Sequence, residues 1–85
     1  MKKEYQLFLK ALHDSDAANP SKVTFSVKHI AEETGLELSE NQFQEIVAKL
    51  VKDRYIIPAI EVGGKYFSIE IGRLGIEFIE HRKIL

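Results

Sequence analysis

Two helix start signals with a helix stop between them constrain this chain more strongly than any other feature of its sequence. Ser26 is a favoured N-cap residue, and Phe25 and Ile30 take the positions of a hydrophobic staple around it. Gly35 then provides the left-handed conformation in which helices commonly end. Ser39 opens a second helix only a few residues later, so the two helices must be close neighbours.

The second helix carries its own start signal and a continuous apolar stripe. Gln42 stands at the position after Ser39 that a capping box requires, and Leu38 and Phe43 form the staple. Apolar residues then recur at helical spacing, at Phe43, Ile46, Val47 and Leu50. Two short helices joined by so short a turn cross at a steep angle, which predicts a helix-turn-helix unit.

The segment that follows is predicted to be a β-hairpin. Gly63 and Gly64 can both take positive φ, as the central residues of a type I′ turn must. This turn predicts facing pairs that are apolar except at the tip: Val62–Lys65, Ile60–Phe67, Pro58–Ile69 and Ile56–Ile71. The opposite face is expected to be solvated and carries Glu61, Tyr66, Ser68 and Glu70. Pro58 cannot donate a ladder hydrogen bond, so its strand is expected at the sheet edge.

The remaining segments complete an α+β domain. A first helix is predicted from apolar residues at helical spacing, namely Tyr5, Phe8, Leu9 and Leu12. Segment 14–21 is rich in turn residues and predicts a break, and segment 23–25 predicts a short strand. A last helix is expected from Arg73 to about His81, burying Leu74, Ile76, Phe78 and Ile79. The predicted order is α-β-α-α-β-β-α, in a single domain that spans 1–85.

This order resembles the winged helix-turn-helix superfamily, in which a three-helix core carries a β-hairpin wing and, here, a C-terminal helix. Segments 30–36, 50–57 and 71–79 carry the likeness, and the last is similar to the closing segment of small bacterial and phage members. Two departures stand out. The turn 35–39 is longer by about two residues than the tightest form of the motif. Arg54 stands where members usually have Gly, and a positive φ there would cost roughly 1 kcal/mol.

The resemblance implies a small non-enzymatic DNA-binding or transcription-regulatory protein that reads duplex DNA through helix 39–53 and the wing, residues 61–66. With the apolar stripe turned inward, the outward side of that helix presents Asn41, Glu45, Ala48, Lys49 and Lys52, with Gln42 and Gln44 at its margins. The residues expected to contact DNA are Asn41, Gln44, Ala48, Lys49 and Lys52. Asn and Gln can pair with adenine, Lys with guanine or phosphate, and Ala with the thymine methyl group. Lys28 is expected to contact a phosphate, and Lys65 at the wing tip a phosphate or the minor groove.

The charge balance argues against DNA binding, so a second interpretation of the function stays open. The formal net charge is −1, and acidic residues flank the expected reading surface at Glu40, Glu45, Glu61 and Glu70. The alternative is a protein–protein interaction module without DNA binding. The C-terminal helix is the surface through which such a module is expected to contact its partner. The helix is followed by an apolar tail, Ile84 and Leu85, which either covers the core of the same domain or packs against a second copy of the chain.

Composition bounds the other function classes. The chain has no Cys, so thiolate chemistry and disulfides are excluded, and a cytoplasmic location without membrane contact is expected. His29 and Glu33 form half a metal site at most, and surface positions are expected for the three histidines, so neither metal nor cofactor is expected. Serines are explained as caps and turns, and so small a domain leaves little room for a pocket of about 300 Å³. We therefore expect no enzymatic activity.

Overall fold

A computed structural model describes residues 1–82 of the chain. Within them the fold is α+β, with a three-stranded antiparallel sheet of strand order β1-β3-β2. The element order agrees with the predicted one: α1 (Lys3–Ala18), β1 (Phe25–Ser26), α2 (Val27–Thr34), α3 (Glu40–Lys52), β2 (Ile56–Val62), β3 (Lys65–Ile71) and α4 (Arg73–Arg82).

The core lies where the helices meet the base of the sheet. Phe8 of α1 and Phe43 of α3 bring their ring centroids to 6.2 Å, which joins the first and third helices. The buried set includes the predicted stripe of α3, the predicted stripe of α1 except the partly buried Tyr5, and three hairpin residues: Phe8, Leu9, Leu12, Phe25, Val27, Ile30, Phe43, Ile46, Val47, Leu50, Ile56, Ile69, Ile71 and Ile79. A stripe that repeats every three or four residues can be buried in this way only on a helix.

Both predicted helix starts are confirmed. The Ser26 hydroxyl accepts a hydrogen bond from the His29 amide at 3.0 Å. At Ser39 the capping box is complete, because the Gln42 amide donates to the Ser39 hydroxyl and the Ser39 amide donates to the Gln42 side chain, at 3.1 and 2.8 Å. Gly35 takes φ 72° at the end of α2, as predicted. The caps therefore set both ends of the turn between α2 and α3.

The break predicted from Asp14 begins too early. Helix α1 continues to Ala18, and the Asn19 amide donates to the Ser15 and Asp16 carbonyls. The Lys10 ammonium donates to Asp14 at 2.8 Å one helical turn away, which supports helix where turn residues predicted none. Only Asn19, which precedes Pro20, is sterically kept out of the helix. The short strand also begins two residues later than predicted and ends one residue later, at Phe25–Ser26.

The hairpin register is confirmed at both ends and is wrong in the middle. Gly63 and Gly64 take φ 58° and 82°, and Ile56–Ile71, Pro58–Ile69 and Val62–Lys65 pair as predicted. Ile60, however, pairs with Ser68 and not with Phe67, because the register shifts between Pro58 and Ile60 and again after Ile60. Pro58 has no amide hydrogen, so an irregularity directly after it costs little. The strand of Pro58 is an edge strand, as predicted.

The two faces of the hairpin also differ from the prediction. The apolar face is buried only at the base, and nearer the tip Ile60, Val62 and Phe67 are 52%, 64% and 46% exposed. Tyr66, which was expected on the solvated face, is half-buried against the core. The buried side chains of β2 and β3 are confined to Ile56, Ile69 and Ile71 at the base of the hairpin.

Helix α3 ends in a Schellman motif whose left-handed residue is not glycine. The Arg54 amide donates to the Val51 carbonyl at 3.0 Å, and the Tyr55 amide donates to the Leu50 carbonyl at 2.9 Å. Arg54 has φ 67°, so it takes the left-handed conformation that is costly for a residue other than glycine. This tight turn leads the chain directly from α3 to β2.

Helix α4 packs closely, and its burial differs in part from the prediction. Gly75 is buried, and a Cβ there would overlap the Tyr55 carbonyl oxygen and lie 3.1 Å from Leu9. Ile79 is buried, but Leu74 is 45% exposed and not buried as expected. The Tyr55 and Phe78 rings meet edge to face at 5.6 Å. The apolar tail at 84–85 lies outside the described residues.

Candidate nucleic-acid interface

The outward side of α3 is the surface from which the sequence predicts DNA reading. Asn41, Ala48, Lys49 and Lys52 are all exposed, as expected. Gln44 is not available on this surface, which corrects the prediction. The exposed side of the helix therefore presents the Asn41 amide, the Ala48 methyl group and the ammonium groups of Lys49 and Lys52, together with the exposed carboxylate of Glu45.

Gln44 is half-buried because its amide is bound to strand β3. Its Nε2 donates to the Tyr66 carbonyl, and the Tyr66 amide donates to its Oε1, both at 2.8 Å. Strand β1 pairs with β3 only at Phe25–Ile69 and Ser26–Ser68, and the chain then turns into α2. Alternate strand residues direct their amides to the same side, so Tyr66 faces the place that a longer β1 would fill. The Gln44 amide takes that place and fixes the wing to α3.

Lys65 at the wing tip is engaged by Glu40 in the first turn of α3. Its Nζ forms an ion pair with Glu40 Oε1. The same ammonium lies 5.3 Å from the Phe67 ring centroid. The hydrogen bond from Lys65 and its charge, with a further contribution from the charge of Lys28, hold the pKa of the Glu40 carboxyl below its usual range. Glu40 is therefore paired with one of the lysines that were expected to contact phosphates and is influenced by the charge of the other.

The lysines on this surface differ in whether a carboxylate binds their ammonium group. Lys49 Nζ lies 3.4 Å from Asp53 Oδ2, one helical turn further on. In the described part of the chain, neither Lys28 nor Lys52 has an ion-pair partner. Two of the four expected phosphate contacts are thus open, and two are shared with carboxylates.

An open groove of about 640 Å³ lies between α2, the start of α3 and β3. The expectation that so small a domain has little room for a pocket is therefore wrong. Its floor is apolar, and its rim is charged, with Lys28, Glu32, Glu40 and Lys65. The groove exists because β1 ends after two residues and leaves the adjoining part of β3 uncovered.

The histidines do not build a metal site in the described residues. His29 Nε2 lies 3.5 Å from Glu33 Oε1, and no group of three or more potential ligands forms there. His13 is buried, which corrects its expected surface position, and its Nε2 lies 3.4 Å from Glu80 Oε2. This contact joins α1 to α4. In the described range 1–82, no helix has the length and apolarity to cross a membrane.

Two functional contacts could not be found from the sequence. Gln44 lies next to the apolar stripe of α3, and this position was the only feature of the sequence that indicated its partial burial. Nothing in the pattern links Glu40 to Lys65, because their proximity depends on how the hairpin folds back onto α3. In comparisons with known proteins, no family model, no curated protein and no solved structure matches this chain.

Proposed function

We propose that the chain is a winged helix-turn-helix protein that binds duplex DNA through α3 and the wing. The observation that carries this proposal is the Gln44–Tyr66 link, which fixes the wing beside a helix with an exposed side of Asn41, Ala48, Lys49 and Lys52. A helix of this kind fits the major groove, and a hairpin beside it reaches the adjoining backbone.

The exposed residues have distinct roles in this proposal. Asn41 and Ala48 contact base edges, because an amide can pair with adenine and a methyl group can pack on thymine. Lys52 and Lys28 contact phosphates, since neither is held by a carboxylate in the described structure. Lys49 reads guanine or a phosphate once it leaves Asp53. Gln44 positions the wing and contacts no base.

Binding of a labelled random-sequence duplex, measured by fluorescence anisotropy at several salt concentrations, tests the proposal. Lys28, Lys52 and, once it leaves Asp53, Lys49 give three phosphate contacts, which predict a slope of about −2.7 in a plot of log affinity against log salt concentration. A Lys49→Glu, Lys52→Glu double variant should lose this binding, while Lys3→Glu, Lys10→Glu on α1 should retain most of it. Absence of binding at about 50 mM salt would reject the proposal.

A second candidate, a protein interaction module, is favoured by the apolar side of the wing. Ile60, Val62 and Phe67 are each about half exposed or more, on a strand pair that extends past the core. Exposed apolar groups in such proximity are typical of protein interfaces. The partner in this case is a second copy of the chain, through the wing or the C-terminal helix. Sedimentation equilibrium of the wild type beside Ile60→Glu, Val62→Glu tests it: a dimer that the variant loses supports this function, and a monomer at all concentrations rejects it.

A further inference from the structure

Three charged side chains from three separate elements converge at the mouth of the groove. Lys28 comes from the first turn of α2, Glu40 from the first turn of α3, and Lys65 from the start of β3. The Glu40 carboxylate binds the Lys65 ammonium directly, and Lys28 is near enough to act on the charge of Glu40. These three residues lie in separate elements of the sequence, so only folding of the chain brings them together.

The cluster has the chemistry of a phosphate site whose anion is supplied by the protein itself. One ammonium group, that of Lys65, binds the carboxylate, and a second, that of Lys28, lies on the rim of the same groove. A carboxylate presents acceptor oxygens to lysine much as a phosphate does. Lys28 and Lys65 both lie on the surface that the proposed function turns toward DNA. A backbone phosphate that contacts Lys65 competes with the Glu40 oxygen for the donors of the same ammonium group.

We propose that Lys28 and Lys65 form a binding site for one backbone phosphate of DNA, and that Glu40 occupies this site in the free protein. This proposal rests on the proposed function and adds that Glu40 competes with the DNA phosphate for Lys65. Each binding event displaces Glu40 from Lys65 and leaves its carboxylate beside the phosphate. Glu40 therefore weakens the wing contact and makes binding depend more on α3.

A double-mutant cycle on duplex DNA affinity tests this competition. Glu40→Gln should tighten binding about fivefold at low salt, and should steepen the salt slope by about 0.9 because Lys65 then gains one full phosphate contact. In a Lys65→Gln background the same change should tighten binding by about twofold or less, since only general repulsion is removed. Glu45→Gln is the matched control, a similar change of charge on the same helix. It should tighten binding by about twofold and leave the slope unchanged.

The outcomes separate this proposal from the proposed function. If Lys49→Glu, Lys52→Glu abolishes binding while Glu40→Gln acts no more strongly than Glu45→Gln, α3 reads DNA and the competition is refuted. If neither the wild type nor Glu40→Gln binds duplex at low salt, both proposals fail. Inorganic phosphate added to Glu40→Gln distinguishes the source of the phosphate. Saturable amide shifts at Lys28 and Lys65 with phosphate alone, at concentrations of about 1 mM, would overturn the assignment to DNA.

Discussion

Gln44 and Tyr66 hold α3 and β3 together through two hydrogen bonds of 2.8 Å, although they lie 22 residues apart in the sequence. One side-chain amide thereby satisfies both backbone groups of one strand residue. Without it, both groups would face the groove beside the end of β1. The wing would then be attached to the helices mainly through its base.

Gln44→Ala should destabilise the fold by about 1–2 kcal/mol, because the half-buried amide and carbonyl of Tyr66 lose their partners. Urea denaturation measures this change in the free energy of unfolding. Hydrogen exchange at the Tyr66 amide should become faster in the same variant. Asn41→Ala, at an exposed position on the same helix, should stay within about 0.5 kcal/mol of the wild type. Equal effects of the two variants would contradict the structural role of Gln44.

Arg54→Gly should stabilise the fold by about 0.5–1 kcal/mol. Arg54 has φ 67° in the Schellman motif, and glycine removes the contact between Cβ and the backbone that makes this conformation costly. Part of the gain is offset by the greater freedom of glycine in the unfolded chain. Thermal and urea unfolding measure the change. Arg54→Ala should bring no such gain, because alanine keeps the Cβ, and a gain of the same size there would refute the explanation.

Gly75→Ala should destabilise the fold by about 2–3 kcal/mol. The added Cβ would overlap the Tyr55 carbonyl oxygen, which is backbone and cannot rotate away, so α4 must shift outward. Urea denaturation tests this prediction. Leu74→Ala on the same helix is the control and should cost about 0.5 kcal/mol or less, because Leu74 is half exposed. A neutral Gly75→Ala would mean that α4 is not seated this closely.

Among single variants, Lys52→Gln should weaken duplex binding more than Lys49→Gln. Lys49 has to leave Asp53, at 3.4 Å, before it contacts DNA, whereas Lys52 has no such partner in the described structure. We expect losses of about fivefold and about twofold at low salt. In an Asp53→Asn background, Lys49→Gln should weaken duplex binding more than it does in the wild type, and nearly as much as Lys52→Gln does. Anisotropy titrations would speak against this reasoning if the two lysines contributed equally in the wild type.

The stability contributed by Asp14 should disappear at low pH. The hydrogen bond from Lys10 holds the pKa of the Asp14 carboxyl below its usual range. A carboxyl with a lower pKa in the folded state stabilises the fold above its unfolded pKa, and that contribution is lost as the pH falls through the folded value. Both side chains are more than half exposed, so Asp14→Asn should cost only about 0.3–0.5 kcal/mol at about pH 6 and nothing at about pH 2. A difference in urea denaturation that persists at the lower pH would rule out this origin.

The features that were predictable from the sequence depend on residues close together along the chain. Ser26 and Ser39 cap helices through bonds to amides three residues away, and Gly63 and Gly64 form their turn alone. Helical periodicity likewise identified the buried stripes of α1 and α3. These local signals were sufficient for the order of elements and for most of the core.

The features that could not be predicted depend on where the hairpin lies relative to α3. Alternation along β3 places Tyr66 and Phe67 on opposite faces, but it does not say which face meets a helix. The structure half-buries Tyr66 and leaves Phe67 about half exposed, the reverse of the expectation. The loss of Gln44 from the reading surface and the pairing of Lys65 with Glu40 both follow from this placement.

The central position of β3 has a consequence for biosynthesis. Because β3 pairs with β1 on one side and β2 on the other, Phe25 has no strand partner until Ile69 has been made. On the ribosome, α1, α2 and α3 emerge with apolar faces that β3 will later cover. The sheet can be completed only after β3 has been translated, so the contacts that finish it are those that bring distant segments of the chain together.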